Sequence, residues 1–181
     1  MIKESYKSAI EKGFYSEGEE KNIGELLMLI VSEIGEALEA HRCRRFVPKD
    51  LDTSYFFNEL QKNGIKNSYM ITFFTGYIKD TFEDEIADIF LRLFSFCGYM
   101  EIEPREMKIN IDDNIGLTFL DMTTCLCMIG NGKKEDRQLW LDRVFSLLVH
   151  FSKHHNIPIE KHIKAKMLFN STRPYKHGKE Y

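Results

Sequence analysis

Cysteine, proline and tryptophan are scarce in this chain of 181 residues, which has four, four and one of them. Cys43, Cys97, Cys125 and Cys127 lie in apolar helical sequence without paired spacing, so no disulfide framework is expected, and Cys125-x-Cys127 lacks the second pair of a structural zinc site. Long uncharged apolar runs are missing as well. Arg92 interrupts the most apolar stretch, which excludes a bilayer-spanning helix there. The opening residues, MIKESYKSAIEKG, lack the apolar core of a signal peptide, and cytoplasmic residence is the expectation. No large charge excess is present either: the formal net charge is −3. Nothing global therefore favours a nucleic-acid or membrane partner, and an anionic ligand has to be held by local cations. Internal repeats and low-complexity tracts are absent. So is any Glu-x-x-His pair, which argues against a ferritin-like di-metal protein. His150, His154 and His155 fall at i, i+4 and i+5 without the glutamate of a His-Glu-x-x-His motif, and a metal role is not expected of them.

What the chain does have is helical periodicity. A hydrophobic content of 43% is enough for a sizeable core, and the length fits a single domain over 1–181. Residues 2–12 read as a short amphipathic helix ended by Gly13, and Asn22 reads as the N-cap of a long helix over 23–42. Further helices are expected over about 80–100, 117–129, 134–155 and 158–172, with a turn at Asn131-Gly132 and breaks at Pro104 and at Asn156 to Pro158. Residues 45–79 differ. They are rich in aromatic residues, punctuated by Gly64 and Gly76, and ambiguous between short helix and strand, so they read as an insertion. It could line a nucleobase pocket, form a dimer arm or close a small satellite core. The fold class is mainly all-α, a helical bundle of two helical hairpins plus this inserted segment.

Two acidic pairs, Glu33-Ile-Gly-Glu36 and Glu85-Ile-Ala-Asp88, sit inside the apolar helical stretches. Each pair puts carboxylates at i and i+3, on one side of a helix and one turn apart. Glu33 emerges beside Leu29, Ile30 and Ala37, and Glu85 beside Phe82 and Ile89, so both stand at the margin of the core face. Asp88 points further round, towards Leu91 and Arg92. Four acids brought together by two packed helices repel one another unless a cation sits between them, and a hard divalent metal is the natural occupant. The plainer alternative is a set of solvated acids on a helical interaction protein with no enzymatic role.

The last stretch, KMLFNSTRPYKHGKEY (166–181), supplies the opposite charge. Lys166, Asn170 and Arg173 recur at i, i+4 and i+7, which aligns an ammonium, an amide and a guanidinium on one helical stripe suited to a polyphosphate. Pro174 ends the helix. Tyr175, Lys176 and Lys179 then add an aromatic ring and further cations that could fold over a ligand, the alternative being a solvated basic tail.

SEIGEALEA (32–40), FEDEIADIF (82–90) and the tail, in that order, resemble the all-α nucleoside triphosphate pyrophosphatases, the MazG-like superfamily that includes the dimeric dUTPases. The first two blocks match its Glu-x-x-Glu and Glu-x-x-Asp signatures, and the tail looks like its Lys-x-x-x-Asn-x-x-Arg segment. The connection between Glu36 and Glu85 is longer than the family's usual helix-to-helix link. The resemblance implies a metal-dependent hydrolase that cleaves a nucleoside triphosphate between the α and β phosphates. It implies Glu33, Glu36, Glu85 and Asp88 as ligands of magnesium, or of manganese, and a homodimer or homotetramer. One of these acids, or Glu39, could serve as the general base. Phosphate would be held by Lys166, Asn170, Arg173, Tyr175, Lys176 and Lys179.

Overall fold

The computed structural model describes residues 1–16, 20–65 and 68–178. Its α-helices are α1 (Ile2–Glu11), α2 (Ile23–Arg42), α3 (Thr53–Asn63), α4 (Ser68–Phe73), α5 (Phe82–Met100), α6 (Ile115–Asn131), α7 (Arg137–His154) and α8 (Ile159–Thr172). No strand occurs among the described residues, and the protein is an all-α bundle. No helix among them is long and apolar enough to cross a membrane.

Local chemistry explains the helix starts. The Asn22 side chain accepts from the backbone N–H groups of Gly24 and Glu25, and Thr81 caps α5 by accepting from Asp84 N. Asn114 caps α6 through Leu117 N, so this helix begins at Ile115 rather than 117. Lys134–Asp136 is a 3-10 turn, which delays the start of α7 to Arg137.

The expected hairpins are present as the antiparallel pairs α2/α5 and α6/α7, with α1 and α8 laid along α5. Helix α5 is the hub. Its run from Ile86 to Cys97 is apolar on nearly every side and almost wholly buried, as a helix covered on all faces must be. Ile30, Ile34 and Ala37 of α2, Met122 and Leu126 of α6 and Leu141, Leu148 and Phe151 of α7 complete the core. Gly98 allows α1 to approach closely, because a Cβ there would overlap Tyr6 Cβ.

Residues 45–79 contain α3, α4 and a single π-helical turn (Phe74–Ile78), so the ambiguous insertion is helical. Its aromatic residues form a satellite core. Phe56, Phe57, Leu60, Met70, Phe74 and Ile78 pack on Ala165 and Phe169 of α8, with Phe74 and Phe169 stacked at 4.5 Å between ring centroids. The insertion thus braces the helix that carries Lys166, Asn170 and Arg173.

Candidate metal centre

The packing of α2 on α5 brings the two acidic pairs to one cavity of about 270 Å³, completed by α1 and α8. Glu33 and Glu85 are buried at its wall and Glu36 is exposed at its edge. One carboxylate oxygen from each of the three lies within 4.8 Å of the others. Asp88 lines the same cavity, although its position on the helix pointed further round. It does so engaged: its Oδ2 is 2.6 Å from Lys166 Nζ.

Lys166 is the centre of this arrangement. Lys166 is 4% exposed, and its ammonium donates to Asp84 Oδ2 at 2.6 Å as well as to Asp88, so it faces the acids instead of standing free on a basic stripe. Burial disfavours its charge, but Asp88 and Asp84 outweigh that and hold its pKa above the ordinary lysine value. Asp84 itself is fully buried. It also accepts from Asp80 N, whose residue has the left-handed φ of 62°, while its Oδ1 has no hydrogen-bond partner among the described residues. Asp80, Asp84 and Glu85 form a second carboxylate group, joined to the first through Glu85.

Desolvation dominates the electrostatics. Burial pushes the Glu85 carboxyl up to about 8, with Asp88 adding to the rise and Lys166 opposing it. Burial also raises Glu33, reinforced by Asp88 and countered by Arg92, whose Nε donates to Glu33 Oε1 at 3.0 Å. Asp84 is pushed up to about 7, again chiefly by burial and against the pull of Lys166. The resident cations therefore leave the acids under-compensated. Three convergent oxygen donors of this kind fit magnesium or manganese, which favour carboxylate ligands, and offer nothing to a soft metal.

Asn170 and Arg173 line the cavity as their spacing suggests, with Arg173 Nη1 3.5 Å from Asn170 Oδ1. Tyr175 and Lys176 do not. The chain leaves α8 through an extended Arg173 into a 3-10 turn, and Lys176 N donates to Lys12 O at 2.8 Å. The Tyr175 ring covers Gly13, whose φ of 79° and lack of a side chain both suit that contact. The described segment beyond Pro174 is thus docked on the end of α1, outside the cavity. Lys179 lies outside the described residues.

Four participants carried no motif. Asp84 looks like an ordinary first-turn acid of α5, yet its i, i+4 relation to Asp88 sets two carboxylates on the side where Lys166 arrives. Arg92 continues that row one turn on. Asp80 precedes the helix. Lys12 donates to the carbonyls of Ser171 and Arg173 at 2.8 and 2.6 Å, satisfying groups left open at the end of α8. The histidines stand elsewhere: His150 and His154 lie 3.4 and 3.3 Å from Glu106 and Asp113, and His155 packs on Phe151. Comparison with family models, with curated proteins and with solved structures yields no match to this chain.

Proposed function

We propose that the protein is a nucleoside triphosphate pyrophosphohydrolase that cleaves between the α and β phosphates and releases the monophosphate and pyrophosphate. The observation that carries this reading is the convergence on one cavity of two acidic pairs far apart in sequence with Lys166, Asn170 and Arg173. In this reading Glu33, Glu36, Glu85 and Asp88 hold magnesium or manganese, an ion that when bound polarises phosphoryl oxygens and acidifies water. Arg173 and Asn170 bind phosphate oxygens by charge-assisted and amide hydrogen bonds. The cavity lining among the described residues has no histidine, cysteine or tyrosine, so a carboxylate is the group available to take a proton from the attacking water. Phe14 and Leu91 give the cavity apolar wall on which the organic part of a substrate can rest.

The test is a panel of ribo- and deoxyribonucleoside triphosphates, dUTP included, incubated with the protein and magnesium while pyrophosphate and orthophosphate are measured separately. Pyrophosphate is the expected first product, and Glu36→Gln should abolish its release without loss of helical circular dichroism. Orthophosphate as the first product would overturn the assignment of the cleaved bond.

A further inference from the structure

Arg92 and Lys166, the cations that meet Glu33 and Asp88 of the two acidic pairs, are not interchangeable. Arg92 meets Glu33 with one nitrogen near the edge of the site, whereas Lys166 is enclosed and lies 2.6 Å from both Asp84 and Asp88. Glu33, Glu36 and Glu85 already bring oxygens within 4.8 Å of one another, and Asp88 stands apart from that group on the lysine. Asp84 is fully buried and meets the lysine from the far side, where only one of its oxygens is partnered among the described residues.

We propose that Lys166 is an internal cation that holds Asp88 out of the three-carboxylate cluster, and that a divalent ion recruits Asp88 only by displacing the Lys166 ammonium. This rests on the metal-centre reading above. The chemistry is a competition between two cations for one carboxylate. A lysine is a compact charge on a flexible stem, so a released ammonium can turn from Asp88 into the cavity beside Asn170 and Arg173. Asp84 is the positioning residue: it keeps the ammonium beside the site while Asp88 is away. The consequence is that the ion and a polyphosphate assist one another, since the ion frees the lysine and the polyphosphate accepts it.

The experiment measures Mn2+ affinity by the loss of the free-ion electron paramagnetic resonance signal, at one pH and without nucleotide. Lys166→Met should bind Mn2+ roughly tenfold more tightly than the wild type, a coupling of the size found between groups in direct contact. In an Asp88→Asn background the same replacement should gain less than about threefold, because the contested carboxylate is gone. Since Lys166→Met leaves Asp84 buried and unpaired, Asp84→Asn/Lys166→Met against Asp84→Asn repeats the comparison with both members of that ion pair neutral. It should again show the roughly tenfold gain. An equal gain with and without Asp88 would mean that Lys166 acts only through its field, and would overturn the exchange while leaving the metal centre standing. Mn2+ binding in no variant would remove both.

Discussion

Replacing Glu85 by glutamine should flatten the alkaline arm of the stability curve. Glu85 is 4% exposed, and burial raises its pKa from 4.5 to about 8. A carboxyl whose folded pKa lies above its unfolded one binds more protons when folded, so its contribution is complete below pH 4.5 and is lost as pH rises through 8. The whole shift corresponds to about 5 kcal/mol at 1.36 kcal/mol per unit, and the part lost between pH 7 and 9 is about 1.4 kcal/mol. A glutamine side chain cannot ionise but matches the protonated acid in shape. Urea unfolding in a chelator should therefore give similar stabilities for wild type and Glu85→Gln at or below about pH 4, with the variant ahead by about 3.4 kcal/mol at pH 7 and about 4.7 kcal/mol at pH 9, so that the gap widens by about 1.4 kcal/mol between the last two. The buried thiols of Cys97 and Cys125, which burial pushes up to about 12 and about 11, are common to both proteins and cancel in the comparison. Adding magnesium should restore the wild type at pH 9 and leave the variant much less affected, because binding to the folded state alone adds stability. Parallel pH profiles for the two proteins in chelator would refute the claim that Glu85 carries a desolvated charge.

Two further outcomes probe the frame around the site. Gly98→Ala places a methyl group on Tyr6 Cβ, a backbone-anchored atom that cannot swing away, and should cost about 1–3 kcal/mol, read as a lowered urea midpoint. Gly35→Ala meets nothing within 4 Å on an exposed helix face and should gain up to about 1 kcal/mol, so equal effects at the two positions would discredit the close approach of α1. His162 is 2% exposed and burial lowers its pKa from 6.5 to about 4. Its contribution is present above pH 6.5 and is lost as pH falls through 4, at most about 3 kcal/mol, so His162→Leu should shift acid unfolding to lower pH. An unchanged acid midpoint would count against that.

The helices were legible because caps and periodicity act locally. Asn22 bonds to N–H groups within three residues, and the apolar stripes repeat over whole helices. The acidic pairs were legible for the same reason, since an i, i+3 spacing fixes two carboxylates on one side before any tertiary contact forms. Lys166 shows where that logic stops. Its place in the helical stripe with Asn170 and Arg173 was readable, but whether the ammonium meets ligand or protein depends on the packing of α8 on α5, which brings it to Asp84 across a separation of 82 residues. A hydrogen bond at such a separation leaves no local pattern. The placement of Tyr175 is hidden likewise: the ring needs Gly13, and nothing near Tyr175 in the chain announces that contact.

The long connection between the acidic pairs is the feature least like a simple helical hairpin, and the structure shows why it leaves the site intact. Phe82 N donates to Arg45 O at 2.7 Å, so the segment from 46 to 81 leaves and rejoins the hairpin at one point. Closing a loop costs free energy only as the logarithm of its length, about 0.6 kcal/mol per doubling, so a segment that begins and ends together adds little strain to α2 and α5. That cost is offset locally, because Phe56, Phe57 and Phe74 build their own core against Phe169. Phe169 also lines the cavity, between Lys166 and Asn170 in sequence. The insertion therefore does more than avoid harm. It fixes from outside the helix that carries the cations, as α2 and α5 fix the acids from within, and the distance between the two charge sets depends on both cores.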